Sequence, residues 1–378
     1  MPAAELTAGR TRRAVWSGGL VLASFLLSLL VLEAAARLFA RSGAFEPAPP
    51  SDRALWVYDA TLGWFHRPSS FGHSTLSGPD RGRVRINALG LRGRELAAPR
   101  PEGVRRVLVL GDSYVFGVGT DEENIFTTHL ERLLNGGGPG FEVVNLGVTG
   151  YSTDQELQLL RRLGPQLSPN LVLVVTCDND FRANTEDFAF GRYYKPYFEL
   201  DAGGRLVLRN TPVPRLSPAQ RTKLWLTDHS ALWSRLRSRR SDNPWVGAAL
   251  GFFQAGTPRA SGADAVEITF RLLEAMSRWC ADAGASFITM NTGHRGEETT
   301  LFHALRPKLD AAGIAYIGAE ASLGRGRRLS PGRDWDFQGD AHWNRDAHRL
   351  MARIVHAHVQ TTLLAAGPGG ALTGNGPE

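Results

Sequence analysis

The stretch "RRVLVLGDSYVFGVG", Arg105 to Gly119, runs an apolar segment, Val107 to Leu110, straight into Gly-Asp-Ser and then places further glycines at 117 and 119. A short apolar run bounded by turn residues has the composition of a buried strand. The turn behind it is kept free of bulk. A glycine-rich turn after a strand can hold phosphate, make a tight corner or present a nucleophile. This one lacks the Lys-Ser/Thr pair of a phosphate loop, and its glycines do not fit GxGxxG. The choice therefore falls to the rest of the chain.

Outward from this segment the pattern is regular. Thr120 with Glu123 fits a capping box, and Ile125, Phe126, Leu130, Leu133 and Leu134 make the stripe of a helix. "FEVVNLG" (Phe141 to Gly147) is a second strand, and Ser152 with Gln155 is a second capping box, opening a helix through Leu163. "LVLVVTC" (Leu171 to Cys177) is wholly apolar, as expected of a central strand covered on both faces. An insert without clear period, 181–264, interrupts the alternation. It resumes with a helix at 267–284, strand "ASFITMN", a helix at 300–312, strand "IAYIGAE" and a last helix at 345–364. Strands alternating with helices predict a doubly wound, flavodoxin-like α/β/α sandwich on a five-stranded parallel sheet. The expected organisation is a cytoplasmic N-terminus and transmembrane anchor at 1–41, then a linker and small strand-containing lead-in at 42–103. The α/β domain follows at 104–366, and a disordered tail at 367–378.

The N-terminus sets the compartment. Val15 to Leu32 is a run of about 18 uncharged, mostly apolar residues, roughly 27 Å as a helix and close to the thickness of a bilayer core. Arg10, Arg12 and Arg13 precede it, which predicts a cytoplasmic N-terminus and a single-pass bacterial inner-membrane protein with its main domain periplasmic. The small residues Ala34 to Ala36 leave a cleaved signal peptide as the competing reading.

Composition narrows the function classes. The net charge of +6 comes mostly from scattered arginines, with a small cluster at Arg235 to Arg240. No zinc spacing or RNA-binding signature accompanies them, so nucleic acid is not an expected partner; an anionic membrane surface or glycan fits better. The two cysteines, Cys177 and Cys280, form no CxxC and read as separate buried thiols. No histidine cluster has ligand spacing, so neither metal nor cofactor is expected.

Ligands of such sheets bind beyond the carboxyl ends of the strands, where Ser113, Gly147, Asn179 and Asp180 and the segment after the fifth strand fall. A nucleophilic serine needs a base, an orienting acid and oxyanion donors. In "DWDFQGDAHWNRDAH", His342 has Asp340 two residues before it, a spacing that lets a carboxylate hold one imidazole nitrogen while the other faces the serine. His348 falls in the last helix and reads as a surface histidine. The Ser113 N–H, the Gly147 N–H and the Asn179 amide supply three donors for an oxyanion.

With these residues assembled, the sequence resembles the SGNH superfamily of GDSL-type hydrolases over about Val104 to Ala366. The matching motifs are "LGDSYVFG", "VNLGVTGYST", "CDND" and "GDAHWN". The anchor, "LGW", "NALGLRG" and "GYSTDQEL" resemble membrane-tethered bacterial members. The resemblance implies Ser113, His342 and Asp340 as the catalytic set, with Ser113, Gly147 and Asn179 as oxyanion hole. One departure matters: many members place the acid three residues before the histidine, where this chain has Gly339. The Asp-x-His form resembles polysaccharide O-acetyltransferases of the alginate type, and Asp336 is a second carboxylate able to approach. The expected function is a serine esterase acting on an ester-bearing small molecule, lipid or glycan. A polysaccharide O-acyltransferase with the same triad, and a catalytically silent glycan-binding protein, are the alternatives. The insert aromatics Phe188, Phe190, Tyr193, Tyr194, Tyr197 and Phe198 read either as packing or as sugar-stacking platforms.

Overall fold

The computed structural model describes residues 3–39, 55–75, 81–138, 140–189, 193–233, 262–293, 299–329, 335–337 and 340–365. The chain divides into two compact units, one of Met1–Pro49 with Leu216–Gln254, the other of Pro50–Arg215 with Ala255–Glu378.

The larger unit starts with two antiparallel hairpins, β1 (Trp56–Asp59) with β2 (Gly63–His66) and β3 (Ser70–Thr75) with β4 (Arg81–Ile86). The core alternation follows as β5 (Arg105–Gly111), α2 (Ser113–Phe116), α3 (Phe126–Leu134), β6 (Phe141–Gly147), α4 (Thr153–Leu167), β7 (Leu171–Thr176) and α5 (Asp178–Ala183). Short pairs β8 (Phe188–Ala189) with β9 (Tyr193–Tyr194) and β10 (Tyr197–Leu200) with β11 (Leu206–Arg209) come next. After α6 (Pro218–His229), which belongs to the smaller unit, the larger one resumes with α7 (Gly262–Asp282), β12 (Ser286–Asn291), α8 (Thr300–Ala311), β13 (Ala315–Ile317), α9 (Glu320–Leu329) and α10 (Arg345–Ala365).

The central sheet has the order β13-β12-β7-β5-β6 with every pair parallel. Taking the five strands in chain order, this is the 2-1-3-4-5 flavodoxin-like arrangement, whose switch point lies between the first and third strands. The doubly wound architecture expected from the sequence is therefore the one observed. Successive residues of a strand point to opposite faces, and the core divides accordingly. Leu108 and Leu110 of β5 with Val172 and Val174 of β7 join one cluster with Leu160, Leu272, Met276 and Leu309 of α4, α7 and α8. Val107, Val109, Leu171, Leu173 and Val175 join the other with Phe126, Leu130, Met351 and Val355 of α3 and α10. All four β5 residues Val107 to Leu110 are fully buried, each such side chain contributing about 1.5–3 kcal/mol.

Local departures are informative. The helix expected to open at Thr120 begins only at Phe126, after a single 3-10 turn at Glu122–Asn124, and no Thr120 capping box forms. Ser152 does cap α4 by position, but its hydroxyl donates to Asp154 Oδ1 (2.8 Å) and Gln155 donates its amide to Leu62 O (2.7 Å). Among the insert aromatics, Phe188, Tyr197 and Phe198 are buried, and Tyr193 packs its ring on Trp56 and Trp64. These four serve packing; Phe190 lies outside the described residues. Cys177 and Cys280 are free and buried. Arg235 to Arg240 and the tail at 367–378 also lie outside the described residues.

In the smaller unit, α1 (Ala3–Phe39) contains Gly19–Leu38, which among the described residues is the one helix long and apolar enough to cross a membrane.

Candidate active site

The turn carrying Ser113 starts where β5 stops. Asp112 caps α2, its carboxylate accepting the Tyr114 N–H (2.9 Å), and Gly117 closes the one-turn helix with φ 83°. A side chain at Gly117 would be strained there, and its Cβ would lie 2.4 Å from Ile125. This geometry presents Ser113 at the carboxyl edge of the sheet, next to the switch point.

The histidine arrives from the far end of the chain. Around it, Phe337 N–H donates to His342 O (3.1 Å), Asp340 N–H to Phe337 O (3.0 Å) and Asn344 N–H to Trp335 O (3.1 Å). His342 Nε2 lies 2.7 Å from Ser113 Oγ, and His342 Nδ1 lies 2.5 Å from Asp340 Oδ1. The same carboxylate oxygen accepts the His342 backbone N–H at 3.0 Å, so the Asp-x-His spacing closes a small ring that fixes imidazole orientation. The hydrogen bond to His342 holds the Asp340 carboxyl below the usual carboxylate range, against the cost of its partial burial. Asp336 instead meets Trp343 in an isolated bridge, and its carbonyl accepts from Asn344.

The expected oxyanion donors are placed unequally. Asn179, at the start of α5, is exposed and hydrogen bonds the Asp112 carboxylate with its side chain. Gly147 lies at the end of β6, but its N–H donates to Asn145 Oδ1 at 2.9 Å. Glycine is needed there for space as well: a Cβ would lie 2.2 Å from Phe116 N and 2.7 Å from Val115 C.

Several residues around the site escaped the sequence reading. Tyr114 donates its hydroxyl to Ala341 O (3.0 Å), its ring lying 5.1 Å from that of His342 and 5.0 Å from that of Trp343. Arg92, buried in the "NALGLRG" loop, donates to the carbonyls of Phe116 (2.6 Å), Gly117 (2.8 Å) and Thr120 (2.5 Å). His348 is 1% exposed rather than on the surface; its Nδ1 accepts the Phe126 N–H, and burial pushes its pKa down to about 3. Beneath the turn lies a cluster of buried acids. Lys195 pairs with Asp154, and Asp180 accepts the Cys177 N–H. Both carboxylate oxygens of Glu156 lack a hydrogen-bond partner among the described residues. Burial and the neighbouring acids push Glu156 and Asp180 well above the carboxylate range, and burial raises Asp112. Its surroundings thus favour the neutral form of the Glu156 carboxyl. Among the described residues no His, Cys, Asp and Glu grouping could hold a metal.

Residues 109–350, more than half of the chain, match the model of the GDSL-like Lipase/Acylhydrolase family. The chain belongs to that family. It is an SGNH-type hydrolase acting on ester bonds. No curated protein matches the sequence. Among solved structures the chain is similar to TesA, at 14% identity and a TM-score of 0.40, covering 68% of this chain and 99% of that one. It is also similar to the psychrotrophic esterase EstA from Pseudoalteromonas sp. (13% identity, TM-score 0.39, 69% of this chain and 99% of that). A third is Axe2, an acetyl-xylooligosaccharide esterase from Geobacillus (11% identity, TM-score 0.37, 68% and 94%). The identification rests on the family match.

Proposed function

We propose that Ser113, His342 and Asp340 form the catalytic triad of a serine esterase working through an acyl-enzyme. The observation that carries this is the unbroken chain from Ser113 Oγ to His342 Nε2 and from His342 Nδ1 to Asp340 Oδ1. Ser113 Oγ attacks the ester carbonyl while His342 Nε2 takes its proton. The tetrahedral intermediate collapses with loss of the alcohol, which leaves with that proton. Water then attacks the acyl-enzyme, again giving its proton to His342, and the acid is released with the Ser113 hydroxyl restored. Asp340 keeps the Nδ1 proton in place and balances the imidazolium. The oxyanion is met by the Ser113 N–H and the Asn179 amide. The Gly147 N–H is the third donor, because an anionic acceptor displaces the neutral Asn145 carbonyl that holds it at rest.

A second reading, acyl transfer to a sugar hydroxyl, has one feature in its favour, the Asp-x-His ring made by Asp340 and His342. It differs only in the acceptor that deacylates Ser113. The apolar Gly19–Leu38 segment and the arginines before it support a periplasmic domain tethered to the inner membrane, acting on lipid or glycan esters.

The test is fluorophosphonate labelling and p-nitrophenyl acetate turnover by the full-length chain. Ser113→Ala is expected to lose all labelling and to cut kcat by at least ~10⁴-fold. Well-folded wild-type protein that neither labels nor turns over would instead favour the glycan-binding alternative. Faster deacylation with oligosaccharide acceptors, giving acylated sugar, would move the assignment to transferase.

A further inference from the structure

The smaller unit holds an arrangement that the esterase reading does not use. Glu33 lies immediately after the apolar run of α1, and its carboxylate is saturated with donors. Oε1 accepts from Arg37 Nε (2.8 Å) and Ala231 N–H (3.0 Å); Oε2 accepts from Ser230 Oγ (2.7 Å) and Leu232 N–H (3.1 Å). One helical turn on, Arg37 donates to His229 O at 2.9 Å. The two α1 side chains therefore clasp one junction in the insert. The base takes the carbonyl at the C-terminal end of α6, and the acid takes the amides of the segment that follows, each matching the sign of the partial charge it meets. Trp233 closes the junction, its backbone N–H donating to Ser230 Oγ (3.0 Å) and its indole to Thr227 (3.1 Å).

This clasp fixes a depth. An ionised carboxylate is excluded from hydrocarbon, so Glu33, which falls inside the Gly19–Leu38 segment, marks where the hydrocarbon-buried part of that segment ends and its last turn enters the polar layer. The 229–232 junction must share that level. On α6, Arg221, Trp225 and His229 are spaced four apart, and all three are exposed. Trp225 is 59% exposed and stacks on His229 (centroids 5.1 Å, 14°). At 1.5 Å per residue, Trp225 lies within about 6 Å and Arg221 within about 12 Å of the clasped junction along the helix, so an α6 lying along the bilayer surface keeps all three side chains in the ~5–8 Å polar interfacial layer. Tryptophan and arginine are the residues such a layer favours.

We propose that the Arg221–Trp225–His229 face of α6 docks in the outer headgroup layer of the bilayer, with anionic phospholipid as its partner, pinned there by Glu33 and Arg37. The proposal rests on α1 being a membrane span. It also requires that α1 stay attached, because cleavage after Ala36 would remove Glu33 and leave Ser230, Ala231 and Leu232 without their acceptor.

The test places a nitroxide at Arg221→Cys, and separately at Glu199→Cys in the β10–β11 hairpin, in the full-length chain. The chain is reconstituted in phosphatidylcholine vesicles containing phosphatidylglycerol; Cys177 and Cys280 are buried and stay unlabelled. The expected result is an oxygen-to-nickel-chelate collision ratio several-fold higher at position 221 than at 199. Glu33→Ala is expected to lower the ratio at 221. Equal aqueous values at both positions, in a chain that resists alkaline carbonate extraction, would overturn the docking proposal while leaving the span intact. Release by carbonate, or a mature chain lacking residues 1–36, would overturn the span and the proposal together. The comparison of 221 with 199 needs no Glu33 variant, so a failure of Glu33→Ala to fold leaves it decisive.

Discussion

Asp340→Asn tests the orienting role of the carboxylate without changing its shape. In the wild type one oxygen, Oδ1, accepts both the His342 Nδ1 proton at 2.5 Å and the His342 backbone N–H at 3.0 Å. In the variant the amide has two choices. If its oxygen stays, the imidazolium that forms during attack loses its counter-charge. If it flips, the NH₂ group faces Nδ1 and drives the ring proton to Nε2, the atom that must receive the Ser113 proton. Loss of a fully buried orienting carboxylate costs up to ~10⁴-fold in kcat. Here the Asp340 side chain is 18% and His342 27% exposed, so water stabilises part of the imidazolium charge. The expected loss is therefore ~10³-fold in kcat, about 4 kcal/mol, with KM almost unchanged. The assay is kcat and KM on p-nitrophenyl acetate, with the rate of fluorophosphonate labelling, across the acid-to-neutral range. Because the Asp340 carboxyl is held below its ordinary value of 3.8, its contribution is complete above that value and is lost only as pH falls through the lowered one. A kcat loss under ~10-fold, or an equal loss in Asp336→Asn, would refute the assignment of Asp340.

Two further outcomes are expected. Gly147→Ala puts a Cβ 2.2 Å from the Phe116 nitrogen, a backbone clash costing about 1–3 kcal/mol or more; the melting temperature should fall by roughly 3–10 °C and labelling of the folded fraction should slow, whereas an unchanged melting temperature would show that the nucleophile turn yields freely. Glu156→Gln replaces the buried carboxyl by an amide of the same shape that does not ionise. Burial and the neighbouring acids raise the folded-state pKa of Glu156 above its ordinary value of 4.5, so its contribution to wild-type stability is complete below that value and is lost as pH rises through the raised one. Urea midpoints should show the variant gaining on the wild type from mildly acidic to mildly alkaline pH, and parallel profiles would contradict the assignment.

The two central strands were legible because Val107 to Leu110 and Leu171 to Val175 are continuous apolar runs, buried along their whole length. The residues of the proposed triad were legible because Ser113 sits in a short motif at a strand end and Asp340 and His342 sit together in a second short motif before the last helix. The expected caps were not, because a capping box is a local bond that tertiary partners outbid. Gln155 reaches Leu62, and Arg92 takes the Thr120 carbonyl across the lead-in. The same cause hid the interior acids. Asp154, Gln155 and Glu156 look like a polar first turn, yet all are fully buried. Their cover comes from Leu62, Lys195 and Asn184, which lie far away in sequence. His348 was misread on the same ground: a histidine in an amphipathic helix says nothing of what packs over it, here Phe126 and Trp343.

Ser113 and His342 are 229 positions apart, and the loop carrying His342 has almost no regular structure. Their register therefore has to be held by something other than a sheet or helix ladder. The structure supplies it through the residue following each. Tyr114 lies against His342 and meets Trp343 edge-on, and its hydroxyl ties the Ala341 carbonyl. Trp343, 2% exposed, in turn meets Phe126 and His348 edge-on. Each aromatic pair is worth about 0.5–1.5 kcal/mol beyond burial, and together they anchor the loop to α3 and α10. Arg92 holds the other end by gathering three carbonyls just after α2. A neutral His348 suits this frame, since a charge there would sit unpaired beneath Trp343 and repel the imidazolium formed at His342 during attack. The aromatic frame thus does two things at once: it sets the distance between the proposed nucleophile Ser113 and base His342, and it keeps the positive charge that the proposed mechanism puts on the imidazole on the side facing Asp340.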